Sequence, residues 1–160
     1  MALSFIIPGL DEATSEKVIG ILQERLSQEQ EAALVLKHAH WNVAGPNFIA
    51  VHEMLDPQVD EVLAMADETA ERIAALGCSP MGRPDDIVRF RTWPKFELDG
   101  RQNTLEYLRA LDAYYDSFIK DDREAIKELD DLDVISSNIV QDHVLKLEQF
   151  QWFMRSFLID

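Results

Sequence analysis

From Phe48 to Leu76 the apolar side chains recur at steps of three and four: Phe48, Val51, Leu55, Val59, Val62, Met65, Ala66, Ala70, Ile73 and Leu76. That spacing predicts one long amphipathic helix, whose apolar stripe has to be covered by other elements of the fold. Gly77 then ends it. Pro57 divides the reading. Inside a helix it removes the bond to the Glu53 carbonyl and costs about 3 kcal/mol unless a kink or water compensates. In the other parsing Asp56 is an N-cap and Pro57 the first helical residue, which leaves His52 on a separate short segment.

Three further segments carry the same period. The first helix starts between Asp11 and Ser15, either of which can cap it, and ends before Asn42. Its stripe is Val18, Leu22, Leu26, Ala33 and Leu36, and His40 extends that stripe by one step of four, toward the interior. Leu105, Leu108, Leu111, Tyr115, Phe118 and Ile119 describe a third helix, capped at Asn103 or Thr104. Leu132, Ile135, Ile139, His143, Leu147, Phe150, Met154 and Phe157 describe a fourth. Between the second and third, the connection from Cys78 to Gly100 is broken by Pro80, Gly82, Pro84 and Pro94, with Asp85 to Arg91 as a short extra helix. The expected fold is an all-α four-helix bundle with one long crossover, a single domain over residues 1–160 with residues 1–10 as an N-terminal arm.

The long helix also carries chemistry. At about 100° per residue, Asp56 lies ~40° round from His52, Asp67 ~60° and Glu71 ~100°, so the four share one side. They form two pairs, His52/Asp56 and Asp67/Glu71, whose midpoints are ~22 Å apart along the axis, whereas a metal–ligand bond is about 2 Å. One helix cannot close both pairs on one ion. An antiparallel second copy, related by a two-fold axis near Glu61 and Val62, sets Asp67 and Glu71 of one chain opposite His52 and Asp56 of the other, and so makes two identical sites. Imidazole and carboxylate donors at an open site suit Fe(II), whereas structural zinc favours sulfur and nitrogen in a closed tetrahedron.

The run His40-Trp41-Asn42-Val43, Gly45-Pro46-Asn47-Phe48, His52-Glu53-Met54-Leu55-Asp56, then Asp67 and Ala70-Glu71-Arg72 resembles the signature of the Dps proteins, the bacterial mini-ferritins. Ser4-Phe5 through Leu10, Arg91-Thr92-Trp93, Leu147-Glu148 and Phe150-Gln151-Trp152-Phe153 are similar to actinobacterial members, so the resemblance spans nearly the whole chain. It implies a ferritin-like bundle and a ferroxidase centre at a dimer two-fold. His40, His52 and Asp56 then come from one subunit, and Asp67 and Glu71 from the other. The resemblance thereby adds His40 to the four residues that spacing had singled out, and it absorbs Pro57 within the helix. It also implies a twelve-subunit cage that takes up Fe(II), oxidises it with hydrogen peroxide or dioxygen, stores Fe(III) as a mineral and protects against oxidative stress. Trp41 has the ordinary role of packing beside the turn; in the resemblance a tryptophan here lies close to the iron and can donate an electron. Glu53 resembles a mineral-nucleation residue. Asp130, Asp131 and Asp133, at the end of an acidic run between the last two helices, are candidates for pores on three-fold axes, against the plain reading of solvated surface. His143 is read as structural or interfacial, and His38, two residues from His40, points elsewhere.

Thirty acidic and fifteen basic residues give a formal charge of −15, which draws cations and repels nucleic-acid phosphates. The first basic residue is Lys17 and the only one after Trp152 is Arg155, so no basic arm is present and weak or absent DNA binding is expected. The single cysteine, Cys78, builds no disulfide framework and fits a reducing cytoplasm. Ala2 to Leu10 lacks the charged start of a signal peptide, and no stretch approaches a membrane span. Two other functions are weighed against iron oxidation. One is a nucleoid-compacting, DNA-protecting protein. The other is a metal-dependent hydrolase, since His52-Glu53-Met54-Leu55-Asp56 is HExxH with aspartate in the last place.

Overall fold

The computed structural model describes residues 3–159. Its helices are α1 (Glu12–Asn42), α2 (Phe48–Ala75), α3 (Pro84–Phe90), α4 (Thr104–Leu132) and α5 (Val134–Leu158). α1 packs along α2 and α4 along α5, so two helical hairpins joined by one long crossover form the expected bundle, with α3 as the short extra helix. A two-residue parallel bridge, β1 (Val43–Ala44) with β2 (Gln102–Asn103), ties the α1–α2 turn to the start of α4. Thr104 Oγ1 adds a bond to the Pro46 carbonyl at 2.7 Å.

The local chemistry accounts for the helix limits. Asp11 caps α1 by accepting the Thr14 N–H at 2.7 Å, and Asn103 caps α4 by accepting the Leu105 N–H at 3.0 Å. α1 runs through Asn42 rather than stopping before it, because the Asn42 amide donates to the last-turn carbonyl of His38 at 2.8 Å. α2 is continuous across Pro57, which removes the parsing with Asp56 as a cap. Both Glu53 and Pro57 face solvent, so water can take the carbonyl that Pro57 leaves unbonded. Gly77 stops the chain at φ +91°, where a β-carbon would collide with the Phe5 carbonyl oxygen. Ser4 N–H donates to the Gly77 carbonyl at 2.8 Å, and Leu3, Ile7 and Leu10 pack on the core, so residues 3–10 lie against the bundle. Met1 and Ala2 of the expected arm are outside the described residues.

Two expectations are corrected. The acidic run does not lie between the last two helices: α4 continues to Leu132, so Asp121 through Asp131 are helical and Leu132 belongs to α4. Asp133 alone separates α4 from α5; its N–H bonds the Leu129 carbonyl while its carboxylate caps α5 through Ile135 and Ser136. Leu105, Ile135 and Phe48, expected in apolar stripes, sit in first turns that overhang the bundle and are exposed. Tyr107, Tyr114, Val140 and Val144 are buried in the core, though none of them was in the expected stripes.

The core is split by a polar layer. One cluster is built on Leu36, Leu55, Tyr107, Tyr115 and Leu147, the other on Val18, Leu22, Ile73, Leu129 and Val140. Between them all four long helices contribute polar groups. His143 of α5 donates from Nδ1 to Glu29 of α1 and from Nε2 to Glu68 of α2, both at 3.1 Å. Thr69 of α2 donates to Glu29 at 3.0 Å, and Arg25 of α1 donates to Asp122 of α4 at 2.9 Å. Among the described residues no helix is long and apolar enough to cross a membrane.

Candidate metal centre

The end of α1 and the start of α2 bring His40 and His52 together. Their rings stack with centroids 3.6 Å apart at 24°. His40 Nδ1 lies 2.9 Å from the His52 carbonyl, and His52 Nδ1 lies 2.9 Å from the His40 carbonyl. A carbonyl only accepts, so each Nδ1 carries the proton, and each Nε2 keeps a free lone pair in the neutral ring. This is the orientation a metal-binding histidine needs, fixed in the protein alone.

Asp56, one turn after His52, reaches the same corner, with Oδ1 3.2 Å from His40 Nδ1. Its nearest partner is Lys37, whose ammonium sits 2.6 Å away. The Lys37 hydrogen bond, helped by the charges of His40, Lys37 and His52, holds the Asp56 carboxyl below its ordinary range, against the opposing effect of burial. Sequence reasoning missed Lys37. The available signal was its place three residues before His40, on the same face of α1.

Asp67 and Glu71 are exposed on the outward side of α2, near its other end, while Val62, Met65, Ala66, Thr69 and Ile73 face inward. Among the described residues no three His, Cys, Asp or Glu side chains of one chain are placed to hold a metal ion. The chain therefore brings three of the sequence-derived residues to one corner and leaves two elsewhere on the same helix. Trp41 is 67% exposed and does not pack beside the turn within one chain, because its position on α1 turns it away from the bundle. Glu53 is exposed. Asp130 accepts from Ser137 Oγ and, at 3.4 Å, from Gln141, Asp131 is exposed, and Asp133 is buried as the α5 cap and receives Arg72 at 2.7 Å. His38 stands apart, 3.4 Å from the Tyr107 hydroxyl and edge-on to Phe96.

Residues 19–160 match the ferritin-like domain family. The DNA protection during starvation protein of Mycolicibacterium smegmatis is 48% identical over 155 residues, covering 97% of this chain and 84% of that protein. The chain belongs to the Dps family of ferritin-like proteins. A solved structure of Mycobacterium smegmatis Dps superposes with a TM-score of 0.95 at 48% identity, covering 98% of this chain and 96% of that one. DpsA14 from Streptomyces coelicolor gives 0.95 at 41% identity, covering 100% of this chain and 96% of that one. A structure of Dps from Microbacterium arborescens, described as the high iron form, gives 0.89 at 27% identity and covers 98% and 100% of the two chains. The ferritin-like bundle and the Dps resemblance read from the sequence thus hold.

Proposed function

We propose that this Dps protein is a ferroxidase and iron store, whose centre is completed across a two-fold axis of a twelve-subunit homo-oligomeric cage in the cytoplasm. The observation that carries this reading is the reciprocal lock of His40 and His52, which leaves both Nε2 lone pairs free while Asp56 stands against the Nδ1 edge of His40. Asp67 and Glu71, set outward on the same helix, complete the donor set from a second copy. Nitrogen and carboxylate oxygen without thiolate suit Fe(II), which arrives here as substrate. Its binding to Asp56 displaces Lys37, whose ammonium otherwise neutralises that carboxylate. Fe(II) gives up electrons to hydrogen peroxide, whose O–O bond breaks, or to dioxygen, and Fe(III) is hydrolysed and stored as mineral. Trp41, next to His40 in the chain, is the proposed source of a further electron. Glu53 is the proposed nucleation residue. Asp130 and Asp131 are proposed for the iron entry pores; Asp133, already paired with Arg72, contributes there only its place in the chain.

The experiment is complementation between subunits. His52→Ala and Asp67→Ala cages each lose rapid Fe(II) oxidation. Reassembled together, they regain it, because about a quarter of randomly mixed sites draw an intact half from each chain. A mixture no more active than either parent refutes the shared centre.

A second reading has its own support, since the M. smegmatis relative is called a DNA protection protein. With a formal charge of −15, protection here is proposed to act through removal of Fe(II) and peroxide, with DNA binding weak or absent.

A further inference from the structure

Each residue of the outward pair is followed in the chain by a residue that is tied down. Asp67 precedes Glu68, which receives His143 Nε2 at 3.1 Å, and Thr69, which donates to Glu29 at 3.0 Å. Glu71 precedes Arg72, whose Nη2 donates to Asp133 at 2.7 Å and whose Nε donates to Ser136 at 3.0 Å. Thr69 is about 200° round the helix from Asp67, on the opposite side, while Glu68 and Arg72 share one flank. His143 is 3% exposed, Glu29 1% and Asp133 9%, so these anchors are set in the interior of the bundle. Together they hold α2 from two directions and leave it one rotation about its own axis.

We propose that these two clamps on buried anchors, His143 and Glu29 on Glu68 and Thr69, and Asp133 on Arg72, are positioning devices that set the rotation at which α2 offers Asp67 and Glu71 to a second copy. The inference rests on the shared iron centre. Side-chain tips lie about 5–6 Å from a helix axis, so a turn of about 20° moves a carboxylate by about 2 Å. That equals a whole metal–ligand bond. Apolar packing alone tolerates such a turn, because a stripe of Val, Met, Ala and Ile has no directional bonds, whereas charge-assisted hydrogen bonds to fixed anchors do not. A misplacement of about 1 Å in a reacting constellation can cost about a hundredfold.

The test uses the assembled protein with His143→Gln, Asp133→Asn and the double variant, and Leu111→Ala, in the other apolar cluster, as a core control away from both clamps. Fe(II) half-saturation and maximal oxidation rate are measured separately, and Co(II) serves as a spectroscopic probe of the site through its d–d bands. Expected for each clamp variant is a rise in Fe(II) half-saturation of about tenfold or more, with a smaller change in maximal rate and an altered Co(II) spectrum. The double variant exceeds either single one, and Leu111→Ala keeps wild-type values. Assembled clamp variants with wild-type half-saturation and Co(II) spectrum overturn the proposal. So does an equal loss in Leu111→Ala, which would make the effect one of stability alone. If Asp133→Asn does not assemble, Arg72→Lys reads the same clamp and is expected to retain part of the affinity; full retention counts against it. Asp67→Ala separates the two readings: wild-type oxidation in that variant sinks the iron centre itself, whereas loss there with no change in the clamp variants sinks the clamps alone.

Discussion

The polar layer makes stability depend on pH in a way that one substitution isolates. His143 is buried, which favours its neutral form, yet it donates to Glu29 and Glu68 and feels Asp122, and these carboxylates win: its pKa is raised from 6.5 to about 9. A folded-state pKa above the unfolded one means that the folded chain binds the proton more tightly. The stabilisation is therefore complete below pH 6.5 and is lost as pH rises through about 9. The difference corresponds to about 3 kcal/mol. For a chain of this size that is roughly 6–12 °C in melting temperature. Asp122 acts in a separate window: burial is the largest cause, Glu29 adds to it, Arg25 opposes, and its pKa rises from 3.8 to about 7. Its contribution has the same sign but is spent by about pH 7. The groups facing His143 are Glu29, with Arg25 and Gln28 beyond it, on α1, Glu68 and Thr69 on α2, and Asp122 on α4. The assay is thermal unfolding at a fixed protein concentration, because assembly also stabilises the folded chain. Wild type is expected to lose the stated amount between pH 6.5 and about 9. His143→Gln, which cannot titrate, melts lower at pH 6.5 and loses only what general repulsion in an acidic chain removes. Equal slopes for the two proteins across that window would refute the reasoning.

Three further outcomes follow from the structure. Lys37→Met removes the ammonium that competes for Asp56, so Fe(II) half-saturation in stopped-flow oxidation should fall roughly two- to fivefold; a rise would show that Lys37 aids binding. Gly77→Ala forces a β-carbon against the Phe5 carbonyl at positive φ, so it should cost about 1–3 kcal/mol and expose residues 3–10 to limited proteolysis, with unchanged melting and cleavage as the refuting result. Plasmid mixed with the protein at physiological salt and without divalent metal should migrate freely on a gel; retardation would overturn the expectation drawn from the −15 charge.

What could be read from the sequence was what repeats. Helical periodicity placed α2, and Gly77 its end, because each is a local consequence of side-chain spacing and backbone freedom. The same period misjudged Leu105 and Ile135, since a stripe does not say which of its first-turn members overhang the bundle. It could not see that Asp121 through Asp131 continue α4, because a run of acids is equally at home in a loop and on a solvated helix face. At the candidate centre, residue spacing selected His52, Asp56, Asp67 and Glu71, and the motif supplied His40. The reciprocal histidine–carbonyl lock and the Lys37 contact depend on how α1 meets α2, a relation carried by no local spacing.

The polar layer also bears on where iron chemistry can sit in this bundle. A four-helix bundle offers its interior as a natural place for carboxylate and histidine ligands. Here the interior carboxylates already have cations: Asp122 receives Arg25, and Glu29 receives Nδ1 of His143, whose Nε2 reaches out to the exposed Glu68. A divalent ion entering there would have to expel a buried guanidinium or strip both protons from a histidine held protonated to about pH 9. Removing one partner of such a buried pair strands the other charge at a cost of about 3–5 kcal/mol. At the outer corner the cation paired with Asp56 is Lys37, whose side chain is about one-third exposed and can withdraw into water. The interior is thereby closed to a metal ion, which favours the proposed centre at the surface, where a single chain gathers two imidazoles and one carboxylate and another copy would supply the remaining acids.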